Sequence, residues 1–209
     1  MLLRLLRIAY KILKQGTQII YPFLSKAITV VDFYLNGVDF SFDFRTNGKP
    51  IINVNLKGEM ILGKHLDLNN GTHANMIGRQ QRCYFIVGKD AKLEIGDNVG
   101  ISSTAIVCQK SIIIRNNVRI GGNCVIYDTD FHSLDPLDRN KTTEDVERAK
   151  RKPVLIMDNA FVGAHSTILK GVTIGENSVI GACSVVTKNV PSNEMWGGNP
   201  AKLIRIIKT

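Results

Sequence analysis

Residues 174–185 read IGENSVIGACSV, so the pair Ile174-Gly175 returns as Ile180-Gly181 after six residues. That spacing belongs neither to a helix of about 3.6 residues per turn nor to the two-residue alternation of a strand. Working outward, Ile156, Val162, Ile168, Ile174, Ile180 and Val186 stand six apart without a slip. Four residues after each come Ala160, Ser166, Val172, Ser178, Ser184 and Val190, small or β-branched every time. Two registers therefore repeat together. An earlier run gives Ile95, Ile101 and Val107, slips by one residue, and resumes at Ile114, Ile120 and Ile126. Its second register is Val99, Ala105, Ser111, Val118, Cys124 and Asp130. Leu56, Leu62 and Leu68 are weaker matches that set the start of the pattern near residue 51.

A period of six, punctuated by Gly, Asn or Asp, suits short strands joined by tight corners, because Gly and Asn tolerate positive φ. Each six residues forms one flat side, and three sides make a triangular coil. The aliphatic residues of successive coils then stack inward, giving an all-β parallel β-helix. An inward side chain contributes about 1.5–3 kcal/mol on burial, against about 1–2 kcal/mol per residue for ordering the backbone. One coil cannot stand alone, so the stack must be long. The three-and-four spacing that would mark helices between strands is absent from the repeat region.

Around this core the 209 residues are 44% hydrophobic and 22% charged, the composition of a globular chain with one main domain. A formal charge of +9 favours an anionic partner. Nucleic acid is excluded as that partner because the chain lacks aromatic interleaving and any recognised motif. Cys83, Cys108, Cys124 and Cys183 form no CxxC pair and read as reduced, buried small side chains. No closely spaced histidine pair is present, so no metal is expected. With no run of 18 apolar residues and no signal-peptide pattern, a cytoplasmic protein is expected, with the inner membrane face open as a site of contact. That option rests on the N-terminus, where Leu2, Leu3, Leu5, Leu6, Ala9, Ile12 and Leu13 alternate with Arg4, Arg7, Lys11 and Lys14 as in a basic amphipathic helix. Such a helix could lie on an anionic membrane or pack on the domain or a partner subunit. The division expected is residues 1–50 as an extension, with "DFYLNGVDFSFDF" capping the first coil, and residues 51–209 as the β-helix domain.

Between Ile126 and Ile156 the period fails, leaving a loop over residues 127–153 that opens with His132 among Asp128, Asp130 and Asp135. Long loops on rigid scaffolds carry function. Imidazole accepts protons near neutral pH, and a neighbouring carboxylate fixes its tautomer and stabilises the imidazolium. His132 is therefore the candidate base, with Asp130 or Asp128 its partner. His65 and His73 fall in turn-like segments, and His165 sits at a coil corner where a structural role is expected.

The stretches "DTDFHSLDP", "FVGAHSTILKGVTIGENSVIGACSVVTKNVP", "GGNPAK" and "LIRII" make residues 92–208 resemble the hexapeptide-repeat acyltransferases, above all their sugar O-acetyltransferase branch of maltose, galactoside and surface-polysaccharide acetyltransferases. The resemblance implies a left-handed parallel β-helix, although crossovers are generally right-handed. It implies a homotrimer whose acetyl-CoA and saccharide acceptor meet between subunits, with His132 as general base. Gly163, Ala164, Gly181 and Ala182 would line the pantetheine groove, Thr187 and Lys188 the lower cofactor, and Lys202 and Arg205 the nucleotide phosphates. Phosphate chemistry agrees with that clustering of cations near the end of the repeat. Phe161 stands where these enzymes often place tryptophan, and Ser102 and Ser103 near an asparagine. Trp196 borders the cofactor or packs. The expected function is acetyl transfer to a saccharide hydroxyl. The alternatives are an N-acyltransferase acting on an aminosugar and a non-catalytic trimeric scaffold.

Overall fold

The computed structural model describes residues 2–70 and 81–208; His73 lies outside them. Three stacks of parallel strands form the faces of a triangular prism. The first holds Asp39–Phe40, Glu59–Leu62, Lys92–Ile95, Ser111–Ile114, Val154–Ile156 and Thr173–Ile174 in that order. The second runs Phe44–Asn47, Leu66–Asn69, Gly100–Ser102, Arg119–Ile120, Phe161–Val162 and Val179–Ile180, then continues into Glu194–Gly198 and Ala201–Ile206. The third holds Ile51–Val54, Tyr84–Val87, Ala105–Cys108, Val125–Tyr127, Thr167–Ile168 and Val185–Val186.

The sequence period maps directly onto this prism. All six residues from Ile156 to Val186 are fully buried, and the second register from Ala160 to Val190 is buried as well. Each aliphatic side chain stacks on its equivalents in neighbouring coils, as Ile126 does on Ile106 and Ile168. The corners take left-handed backbone. Asn117, Asn159, Asn177 and Asn193 all have φ near 60° on one edge. There Asn159 Nδ2 donates to Asn177 Oδ1 at 3.1 Å, and Asn177 Nδ2 to Asn193 Oδ1 at 2.9 Å. His165 shares this conformation at φ 63° and lies 3.2 Å from Asn123 Nδ2, a corner residue in structural service.

Four expectations from the sequence need correction. Around the slip, Val107, Ala105 and Ser111 are not inward; Ile106, Cys108, Thr104 and Ile112 are. Ser103 takes the corner at φ 43° one residue early, which shifts the phase of the strand that follows. Leu56 is fully exposed, although Leu62 and Leu68 are buried. The coil starts before residue 51, because Asp39–Phe40 pairs with Ile61–Leu62 and Phe44–Asn47 with Leu66–Asn69. Finally, Cys83, Cys108 and Cys124 are buried, but Cys183 is an exposed corner residue at φ 60°.

Helix α1 spans Leu2–Leu35 with Pro22 inside it. Its second half closes the top of the prism. Thr29 and Phe33 are fully buried, and the Phe33 ring lies 4.9 Å from Phe40 and 5.3 Å from Phe44. This covers the open edge of the first coil, which otherwise invites strand addition. At the other end the antiparallel pair Glu194–Gly198 and Ala201–Ile206 lies beneath the last coil, with Met195 and Trp196 aligned to Val179 and Ile180.

Candidate functional site

The chain leaves the prism after Tyr127 and returns at Val154, along the edge between the third and first faces. Two short helices fold this excursion, α2 over Pro136–Arg139 and α3 over Thr142–Glu147. Asp135 caps α2 by accepting the Leu137 N–H at 2.9 Å. The rest is held by charge-assisted hydrogen bonds, about twice as strong as neutral ones. Arg148 Nη1 donates to Asp138 Oδ1 at 2.6 Å, Ser133 Oγ to Asp138 Oδ2 at 2.9 Å, and Arg139 Nη1 to the Ser133 carbonyl at 2.8 Å. Ser133 is thereby fixed from both sides, and His132 beside it inherits a defined backbone.

The carboxylate that meets His132 is Asp145, neither Asp128 nor Asp130. His132 Nδ1 lies 2.6 Å from Asp145 Oδ2, and Asp145 Oδ1 accepts the Ser133 N–H at 2.8 Å. An ionised carboxylate only accepts, so the shared proton sits on Nδ1 and the Nε2 lone pair remains available. Asp145 is 8% exposed while His132 is exposed, which places the charge inside and the base outside. The hydrogen bond from His132 is the chief cause that holds the Asp145 carboxyl below its ordinary value.

The other two aspartates do structural work. Asp128, fully buried, accepts the N–H groups of Gln109 and Lys110 at 2.7 Å and of Ser111 at 2.8 Å, closing the corner of the coil before it. Asp130 pairs with Lys170, pinning the root of the excursion to the next coil. Phe131 bends the chain between Asp130 and His132 with φ 63°, its ring edge-on to Tyr127 at 5.0 Å.

A cavity of about 280 Å³ opens beside His132, bounded by Gln109, Phe131, Val146 and Arg151. Arg151 binds the Val146 carbonyl through Nη2 at 3.2 Å, and its buried Nε has no partner. Sequence reasoning missed Arg151 and Asp145, since both enter through the fold of the excursion.

Thr187, Lys188 and Lys202 come together around a second cavity of about 220 Å³ with Trp196 on its wall. Thr187 and Lys188 follow the last strand of the third face, so they share the prism edge from which the excursion leaves two coils earlier. Arg205 lies beyond, opposite Met195 after a register shift, and does not line this cavity. Gly163, Ala164, Gly181 and Ala182 occupy a different edge, between the second and third faces. A Cβ at Gly163 would lie 2.6 Å from the Ala182 nitrogen, so this position stacks too tightly on the next coil for any side chain, whereas at Gly181 the nearest atom would be 3.5 Å away. A third cavity, about 580 Å³, lies on the second face and includes His65, Asp67, Asn69, Ser102, Arg119 and Phe161.

Residues 153–188 match the family described as bacterial transferase hexapeptide, six repeats. The Saccharomyces cerevisiae protein YJL218W, whose name places it among acetyltransferases, is 38% identical over 118 residues, 56% of this chain and 57% of that protein. A hexapeptide-repeat acetyltransferase of Vibrio cholerae, solved with acetyl coenzyme A, is 34% identical with a TM-score of 0.51, covering 61% of this chain and 64% of that one. An N-acyltransferase from Bacillus cereus, at 21% identity and TM-score 0.62, covers 82% and 83% and shares the fold. The chain spans between 44% and 58% of the length of four curated relatives it matches.

Proposed function

From a chain that carries the hexapeptide repeats of the bacterial transferases, folded as a left-handed parallel β-helix, we propose that acetyl transfer from acetyl-CoA to a saccharide hydroxyl is the activity, with His132 as general base. The observation that carries this reading is the 2.6 Å contact between His132 Nδ1 and Asp145, which leaves Nε2 basic at the mouth of a cavity. The acetyl coenzyme A complex of the Vibrio cholerae relative supports the donor.

Acetyl-CoA, when bound, supplies an acetyl thioester. The lysines at the lower cavity fit such a donor, since Lys188 and Lys202 offer cations to its phosphates and Trp196 an apolar wall. The corner of Gly163 and Gly181, with Ala164 and Ala182, carries only small or absent side chains, which would let a slender pantetheine chain lie against it. His132 Nε2 accepts the proton of the acceptor hydroxyl, and Asp145 stabilises the imidazolium formed. The acceptor oxygen bonds to the acetyl carbon as the carbon–sulfur bond breaks, and the imidazolium returns its proton to the departing sulfur. General-base assistance of this kind is worth roughly a hundred- to ten-thousand-fold, and positioning two substrates in one groove supplies much of the remainder.

A homotrimer suits this chemistry, because the base and the glycine corner stand on different edges of the prism and adjacent copies would bring them face to face. The cavity on the second face fits a saccharide: Asp67, Asn69, His65 and Arg119 offer mixed donors and acceptors, and the half-exposed Phe161 offers a ring face. His132→Ala tests the reading by coenzyme A release over a panel of sugar acceptors. A fall of at least about a hundredfold in a folded variant is expected. Unchanged turnover would remove His132 from the mechanism, and a wild-type protein that binds no coenzyme A would leave a scaffold.

A further inference from the structure

The first half of α1 is the largest feature that acetyl transfer does not use. Leu3, Leu6, Tyr10, Ile12 and Leu13 are 60–71% exposed, an apolar surface with no element of the prism against it. The helical backbone of this half continues from the anchored second half of α1, but its apolar side chains gain nothing from the prism, and covering them favours a surface outside it.

Charge names that surface. Arg4, Arg7, Lys11 and Lys14 recur at spacings of three and four, which gathers them within about a quarter of the helix circumference. No acidic residue occurs before Asp32. The same stripe, continued down the helix, becomes the face carrying Ser25, Thr29 and Phe33, which is buried against the first coil. Among the described side chains the opposite side stays apolar and exposed, from Leu6 at 60% and Leu13 at 71% to Phe23 at 74% and Leu35 at 79%. The prism therefore presents one long apolar face outward, with cations along the flank behind its free half. Among the described residues no helix is long and apolar enough to cross a membrane.

We propose that α1 lies in the interface of an anionic lipid bilayer, apolar face down and basic stripe at the headgroups, holding the β-helix at the membrane surface. This does not depend on the acetyl-transfer reading. The test is co-sedimentation of the full chain with phosphatidylglycerol–phosphatidylcholine vesicles and with pure phosphatidylcholine vesicles, at low and high salt. Binding to the anionic vesicles, weakened by salt, is expected. Arg4→Glu, Arg7→Glu, Lys11→Glu and Lys14→Glu together should weaken it on the order of a hundredfold or more. Leu6→Glu with Leu13→Glu should abolish it. Both variants should melt with the parent, because the altered side chains lie on a segment outside the core. Equal binding to neutral vesicles, binding to neither, or self-association in lipid-free solution that Leu6→Glu with Leu13→Glu abolishes would overturn the proposal. The last result would make a second copy the occupant.

Discussion

Asp145→Asn is the most informative single change in the excursion. Asparagine keeps the volume of the side chain and one acceptor oxygen, so the Ser133 N–H, now 2.8 Å from Oδ1, retains its partner and the loop keeps its backbone. The other position becomes an NH2 group facing His132 Nδ1, where the structure has a carboxylate oxygen at 2.6 Å. Two donors cannot share that gap. The imidazole must accept there and carry its proton on Nε2, which deprives the acceptor hydroxyl of its base and the imidazolium of its counter-charge. The expected loss is that of general-base catalysis, roughly a hundred- to ten-thousand-fold in kcat. The KM for acetyl-CoA should hold within about twofold, since nothing at Lys188 or Lys202 changes. The assay is coenzyme A release at saturating donor, with thermal melting as the control for folding. A folded Asp145→Asn protein that turns over within about threefold of the parent would refute the tautomer reasoning.

Three further outcomes are expected. Ile174→Ala opens a hole between Ile156 and Val190, its strand and bridge partners, and should cost about 2–5 kcal/mol; calorimetry should show the melting point lower by roughly 4–20 °C, and an unchanged value would contradict the inward register. Lys188→Ala with Lys202→Ala should raise the KM for acetyl-CoA on the order of tenfold or more while kcat holds; a loss confined to kcat would dissociate these lysines from the donor. Burial, the chief cause, pushes the thiols of Cys83 and Cys108 up to about 12 and of Cys124 to about 11, from an ordinary 9.0. In the unfolded chain they ionise near 9.0, so the folded state binds more protons above that pH and stability must fall as pH rises towards 12. Denaturation midpoints measured across that range should decline, and a variant with all three cysteines replaced by alanine should decline less.

The prism was legible from Ile156 to Val186 because every third of a coil there is six residues and the same two registers point inward on each side. Around Ala105–Cys108 and Ser111–Ile114 it was not, since aliphatic residues flank the pleat on both sides and the period cannot say which side is in. The first coil escaped notice for a related reason. Its buried apolar residues are Val38, just before the first strand, and Phe44, at the start of the second, without the aliphatic repeat. His132 was found because it stands in a break of the pattern and within a motif. Asp145 is thirteen residues further on, delivered by the fold of two short helices, and adjacency in sequence favoured Asp128 and Asp130 over it. Their chemistry fits corner and anchor duties equally well, so only geometry separates the three. The lysines at the lower cavity were legible as a group; Arg205 lies outside it because the closing pair of strands shifts register between Met195 and Trp196.

The most direct measurement is a crystal structure of the assembled protein with coenzyme A and a saccharide acceptor. His132 Nε2 should lie within about 3 Å of the acceptor hydroxyl, with Asp145 still on Nδ1 and the sulfur of the cofactor on the far side of that oxygen. An Nε2 that faces solvent, with the cofactor seated away from the excursion of every subunit, would contradict the assignment of His132 as the base.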